Sequence, residues 1–155
     1  MSQNLVDALI RIPLFNGLTP TDCKPVLGLC KSASYEEGAK IYEAGSPGTE
    51  MLILLKGSVH VVLPDGTEVA TVSAIDTVGE MEIVGGFQRT ADIVAAEEVS
   101  GMTIGRGVLE GLFQNEPFLG IALLRNIVEN IANKLTETDK ELAARISNES
   151  GGTKG

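Results

Sequence analysis

A chain of 155 residues, 43% of them hydrophobic, can bury one core but is too short for two domains of ordinary size. Its net charge of -9 argues against nucleic acids and acidic membrane surfaces as partners, although a few directed donors can still hold one small anion. No apolar stretch approaches the roughly 20 residues that span a bilayer, and the N-terminal sequence lacks the pattern of a secretion signal. We therefore expect a single cytoplasmic domain over residues 1–146.

The first part of the chain predicts two short helices. Residues 5–12 form an amphipathic pattern, which Pro13 should end because proline disfavours helical geometry at the residue before it. A second helix should run over residues 20–30, with Thr19 as its N-cap and Asp22 placed to bond back to the cap.

The middle of the chain, about residues 32–106, predicts an antiparallel β-roll. Short apolar segments alternate there with Gly, Pro, Asp and Ser, which is typical of strands joined by tight turns. The clearest hairpin pairs residues 58–63 with 67–72 across Pro64-Asp65-Gly66. Further strands are predicted at 91–95 and 101–104.

The last part of the chain predicts a short helix over residues 108–114 and a long one over about 117–146, roughly 45 Å in length. Apolar positions on the long helix follow alternating steps of three and four, which is the a/d pattern of a coiled-coil seam. These positions are Ile121, Leu124, Val128, Ile131, Leu135, Thr138 and Leu142. The stripe needs a cover, either a second copy of the chain or the rest of the same domain. Residues 147–155 should form a disordered tail.

Two glycine-containing segments resemble a known family. Gly79-Glu80-Met81 and, ten residues later, Arg89-Thr90-Ala91 are similar in identity and spacing to the phosphate cassette of the cyclic nucleotide-binding domain found in the catabolite activator protein, protein kinase regulatory subunits and cyclic nucleotide-gated channels. Residues 38–59 resemble the opening strands of that domain. The likeness covers about residues 10–146 and implies a mainly β fold: a double-stranded β-helix, or jelly roll, with short N-terminal helices and a long C-terminal helix.

The resemblance also implies how a ligand is held. Arg89 would bind the phosphate, because a guanidinium fork can hold two phosphate oxygens at once. Glu80 would accept a hydrogen bond from the ribose 2′-hydroxyl, and Thr90 would bond the phosphate or the base. Backbone amides after the first glycine would add donors. The implied binding residues are Gly79, Glu80, Met81, Glu82, Arg89, Thr90, Ala91, Val61, Val72 and Thr138, the last three lying against the base or sugar.

Two residues depart from the family's pattern, and one alternative to a binding site stays open. Gln88 stands where proline is usual, and Glu82 stands where a small residue is usual. A carboxylate of Glu82 that points into the pocket would repel a phosphate, whereas one that points outward would not. Arg89 could instead pair with Glu80 inside a purely structural loop.

These features favour a non-catalytic sensor that binds cAMP in preference to cGMP, has no cofactor and signals through its C-terminal helix. The expected partners are the cyclic mononucleotide and either a second copy of the chain or an unidentified effector protein. His60 is the only histidine, which argues against a metal site. The alternatives are an interaction scaffold with a degenerate pocket and a truncated transcription regulator. About nine residues after Ile146 leave no room for a recognition helix.

Overall fold

The computed structural model describes residues 7–8 and 10–152, and the backbone alone for residues 149–152. The predicted helix over residues 5–12 falls partly outside this range, although Asp7, Ala8 and Ile10 are helical. The elements follow in this order: a 3₁₀ helix at Pro13–Phe15, α1 at Pro20–Leu27, β1 at Lys31–Tyr35, β2 at Lys40–Tyr42, β3 at Glu50–Lys56, β4 at Ser58–Val62, β5 at Glu68–Ser73, β6 at Asp76–Val78, α2 at Glu80–Gly85, β7 at Asp92–Ala95, β8 at Val99–Gly105, α3 at Arg106–Asn115 and α4 at Pro117–Gly152.

The strands form two four-stranded antiparallel sheets, in the orders β1-β8-β3-β6 and β2-β7-β4-β5. The predicted hairpin is the β4–β5 pair, with His60 opposite Thr71. Its turn is fixed by the side chain of Asp65, whose Oδ1 accepts a hydrogen bond from the Thr67 N–H at 2.9 Å. The mainly β jelly-roll fold is thus confirmed.

Strand β3 lies at the centre of the molecule and is buried on both faces. Met51 and Ile53 point into the core cluster beneath the helices, while Leu52 and Leu54 point into the cluster between the sheets. All four side chains have no exposed surface. Burying a side chain of this size stabilises a fold by about 1.5–3 kcal/mol, so this strand anchors both cores.

The start of α1 has the predicted capping box. The Asp22 N–H donates to Thr19 Oγ1, and the Thr19 N–H donates to the Asp22 carboxylate, each at 3.2 Å. The helix ends at Leu27 rather than at residue 30, since the N–H groups of Leu29 and Cys30 bond three residues back, to the carbonyls of Val26 and Leu27 at 3.1 and 3.2 Å, and not four.

The long helix α4 is held along its first half only. Leu123 and Ile127 are buried in the core, and Asn126 Nδ2 donates to the carbonyls of Leu14 and Asn16 at 2.8 and 2.9 Å. From residue 131 to residue 148 the structure describes no buried side chain. None of the helices in the described part of the chain is both long and apolar enough to cross a membrane.

The C-terminal end of α4 and the predicted seam both differ in part from expectation. The helix continues to Gly152 instead of ending near Ile146, so residues 147–152 are helical; residues 153–155 lie outside the described part. No proline or glycine interrupts the chain between Ile146 and Gly151, so the helical hydrogen bonds can continue through it residue by residue. Of the predicted seam, Leu124 and Ile131 are half-buried within the domain, whereas the others are exposed.

Candidate functional site

A cavity of about 530 Å3 lies between the second sheet, the start of α2 and the middle of α4. Val61 and Val72 contribute from β4 and β5, and Thr138 contributes from α4. The remaining predicted residues come from the segment that joins β6 to β7: Gly79, Glu80, Met81, Glu82, Arg89, Thr90 and Ala91. The structure therefore brings every residue predicted to bind a ligand to one cavity.

Arg89 is buried and held on several sides. Its Nη2 donates to the backbone carbonyl of Glu50 at 2.6 Å, and its Cζ lies 3.6 Å from the centre of the Tyr42 ring. Its backbone exchanges two hydrogen bonds with a neighbouring loop: the Arg89 N–H donates to Ser46 O at 2.9 Å, and the Gly45 N–H donates to Arg89 O at 2.7 Å. Contacts within the chain thus hold the guanidinium in place at the cavity.

The ring beneath Arg89 belongs to a tyrosine that stays neutral. Burial, and then the hydrogen bond that Tyr42 Oη donates to Glu50 Oε2 at 2.8 Å, raise the pKa of Tyr42 well above its ordinary value. A neutral phenol keeps its ring face available to the cation. Tyr42 and Glu50 were not predicted as site residues, since they lie on strands far from the cassette in sequence.

Gly79 allows the start of α2 to touch the arginine. Its φ of 88° is left-handed, and a Cβ at this position would lie 2.8 Å from Arg89 Nη1. The helix begins without a side-chain cap. The N–H groups of Met81 and Glu82 belong to its first turn and have no acceptor within the helix, so they are available to an anion beside Arg89.

Glu80 is buried and bonded to the long helix. Its Oε1 accepts hydrogen bonds from Asn130 Nδ2 at 3.0 Å and from Lys134 Nζ at 2.8 Å. Lys134 also donates to Thr77 O at 2.6 Å and lies 3.5 Å from the Asp76 carboxylate. The alternative in which Arg89 pairs with Glu80 is therefore wrong, because the partner of Glu80 is a cation on α4.

Asn130 and Lys134 contact the cassette from α4, and the sequence did not reveal these contacts. The sequence feature that could have identified these two residues is their spacing: the two polar side chains are four residues apart, which places both on one helix face. Nothing in the sequence says that this face meets the cassette, since that depends on how α4 docks.

The two departures from the family's pattern have clear positions. Glu82 turns toward the arginine: its Oε2 lies 4.0 Å from Arg89 Nη1, and its side chain is 14% exposed. A Cβ at Gly48 would collide with the Cβ of Glu82, so the absence of a side chain there lets the two backbone segments approach closely. Gln88 forms an isolated antiparallel bridge with Pro47, which continues the pairing that fixes the Arg89 backbone.

Carboxylates outnumber cations around the cavity. The acidic side chains that line it are Asp76, Glu80, Glu82, Glu137 and Glu141, and the basic ones are Arg89 and Lys134. Among the residues that the structure describes, no group of three or more His, Cys, Asp or Glu is arranged to hold a metal ion. The site is therefore suited to an organic ligand with limited negative charge, because each phosphate charge must be matched by a scarce cation.

Comparisons with known proteins agree with this geometry. The model of the cyclic nucleotide-binding domain family matches residues 32–116. Glutaminase 1 of Bradyrhizobium diazoefficiens is 30% identical over 79% of the chain and 20% of its own length. The cAMP-dependent protein kinase regulatory subunit of Colletotrichum orbiculare is 30% identical over 86% of the chain and 34% of its own length.

A solved cyclic nucleotide-binding domain from Methylobacillus flagellatus shares the fold, with a TM-score of 0.82 at 22% identity over 92% of this chain and 83% of that one. The chain spans only 20% and 34% of the lengths of the two curated relatives. The family match extends over more than half of the chain, from the first strand of the roll to the end of α3. The chain belongs to the cyclic nucleotide-binding domain family.

Proposed function

We propose that the chain is a non-catalytic sensor that binds a cyclic mononucleotide, cAMP in preference to cGMP, and transmits occupancy through α4. The observation that carries this proposal is the fixed guanidinium of Arg89 beside the uncapped start of α2, inside a cavity of about 530 Å3. Sites for small molecules commonly have volumes of about 300–1,000 Å3.

The lining supports a specific way of holding the ligand. The cyclic phosphate lies between Arg89 and the amides of Met81 and Glu82, where it accepts hydrogen bonds from both the guanidinium and the backbone N–H groups. The ribose 2′-hydroxyl donates to Glu80, whose carboxylate has lone pairs beyond those that accept from α4. The apolar side chains of Val61 and Val72 then cover the base or sugar.

The contact between the cassette and the long helix supports the signalling role. Glu80 would accept hydrogen bonds from both the ribose and Lys134. A bound ligand would therefore change the hydrogen bonding of Lys134, the cation that attaches α4 to the cassette. A ligand shifts a conformational equilibrium only when it contacts the two states differently, and a shared carboxylate provides such a difference. Occupancy of the cavity thereby alters how the middle of α4 is held.

Calorimetric titration of the purified chain with cAMP and cGMP tests the proposal. We expect saturable binding of one nucleotide per chain. Absence of binding for both nucleotides would contradict it and leave the interaction scaffold as the better description.

The choice of base is tested at Thr90, which is exposed at the cavity. If cAMP is the ligand, Thr90 bonds the phosphate, so Thr90→Ala should weaken cAMP and cGMP equally, by roughly two- to tenfold. Thr90→Ser keeps the hydroxyl and is the matched control. A selective loss of cGMP affinity would instead identify Thr90 as a guanine contact and cGMP as the natural ligand.

The exposed stripe on α4 supports a homodimer as the form that signals. Ile121, Val128, Leu135 and Leu142 recur at every seventh position and are each more than half exposed, at 54, 59, 60 and 55%. Apolar residues at every seventh position form one row of a two-stranded coiled-coil seam, and a second copy of the chain would cover this row.

Sedimentation of the intact chain tests the seam. We expect a dimer that Val128→Glu dissociates, because the new carboxylate would be buried against its copy. Asn133→Glu adds the same charge to an exposed position off the stripe and should leave the dimer intact. A monomer at high micromolar concentration, with and without nucleotide, would rule the dimer out.

A further inference from the structure

The carboxylate of Glu82 faces the position at which a phosphate would bind. It lies 4.0 Å from Arg89 Nη1, and its side chain is largely buried between the cassette and the loop that contains Gly48. A Cβ at Gly48 would collide with the Cβ of Glu82, so the loop packs closely against this residue because Gly48 has no side chain. An anion bound to Arg89 would therefore lie close to a fixed negative charge.

The other charges around the cavity do not offset this one. Lys134 is already engaged by Glu80 and Asp76, at 2.8 and 3.5 Å. The remaining lining carboxylates, Glu137 and Glu141, lie on α4. Among the lining residues that the structure describes, Arg89 is thus the cation available to a phosphate, and it is shared with Glu82.

We infer that Glu82 is a specificity-determining residue, which selects a singly charged cyclic phosphodiester against a doubly charged phosphomonoester of the same nucleoside. This inference rests on the proposed function. Repulsion between two charges grows in proportion to each of them, so a dianion is repelled by Glu82 about twice as strongly as a monoanion at the same distance. The single positive charge of Arg89, which also faces Glu82, neutralises a larger fraction of the charge on a phosphodiester than of the charge on a phosphomonoester.

Titration with cAMP and 5′-AMP at pH 8 tests the inference. At this pH 5′-AMP is a dianion, because the second pKa of a phosphomonoester is about 6. Glu82→Gln keeps the shape of the side chain and removes its charge. We expect the Glu82→Gln variant to bind cAMP about tenfold more tightly than the intact chain does. Its affinity for 5′-AMP should rise by a clearly larger factor, so the ratio of cAMP affinity to 5′-AMP affinity should fall.

Glu116→Gln is the matched control, since it removes the same charge from an exposed residue that does not line the cavity. It should change neither affinity, and melting curves should show both variants folded. If the intact chain binds cAMP but Glu82→Gln raises the two affinities equally, or leaves them unchanged, the inference is overturned and the proposed function stands. If no variant binds either nucleotide, the proposed function fails as well.

Discussion

Replacing Arg89 by alanine is expected to weaken cyclic nucleotide binding by more than tenfold. Removal of one partner from a buried, charge-assisted contact costs about 2–5 kcal/mol, and about 1.4 kcal/mol corresponds to a factor of ten. The residue is 4% exposed, and contacts with the Glu50 carbonyl and the Tyr42 ring hold its guanidinium at the cavity. Calorimetric titration of the variant and the intact chain measures the loss.

Two further variants separate binding from folding. Arg89→Lys retains the charge but loses the planar fork, so its affinity for the nucleotide should lie between those of the alanine variant and the intact chain. Arg125→Ala removes an exposed arginine of α4 outside the cavity and should bind normally. Arg89→Ala should remain folded with a somewhat lower melting temperature, because the Glu50 carbonyl loses a donor. Unchanged affinity in that variant would assign Arg89 a structural role only.

Ending the chain at Asn133 should weaken nucleotide binding by about tenfold. The cut removes Lys134, which leaves the buried carboxylate of Glu80 without its cation, and it also removes Leu135 and Thr138 from the cavity wall. A carboxylate that has lost its partner is more strongly hydrated and less precisely placed to accept from a ribose. Titration of the shortened chain with cAMP measures the effect.

A second cut provides the control. A chain that ends at Ile146 keeps all the residues that line the cavity and should bind as the intact chain does. Both shortened chains keep the buried part of α4, including Leu123 and Ile127, so both should fold. Undiminished affinity in the chain that ends at Asn133 would show that Lys134 and the residues after it do not contribute to nucleotide binding.

The cassette could be predicted from sequence because its determinants are local. Gly79 and Arg89 are only ten residues apart, and the chemistry of each follows from its type: one permits a left-handed backbone, the other presents a fork of donors. The hairpin at Asp65 and the capping box at Thr19 were likewise predictable, since each is completed within a few residues.

The polar contacts that link the cassette to α4 could not be predicted in the same way. Asn130 and Lys134 lie some fifty residues after Glu80, and their encounter depends on the angle at which the helix packs on the core. The direction of Glu82 was left open for a similar reason. Glu82 packs against Gly48, on a loop that precedes the cassette by more than thirty residues, and the sequence does not reveal that contact.

The seam on α4 was predicted from periodicity alone, which does not distinguish a partner from the helix's own domain. The domain covers some positions of the stripe and leaves others exposed. Ile131 packs against the core, whereas Val128 and Leu135 are exposed. An amphipathic helix docked on a roll satisfies the same spacing as a coiled coil over its first turns. Only the packing shows which positions the domain itself covers.

The uneven burial of α4 divides the helix into two regions of different local stability. The turns around Leu123 and Ile127 open only when the core opens, so they share the free energy of global unfolding. The turns beyond residue 135 expose every described side chain, and they can fray and re-form without disturbing the sheets. A ligand that strengthens the contacts of Lys134 would therefore increase the fraction of α4 that is helical. The amount of ordered helix, as well as the position of the helix, would then carry the signal.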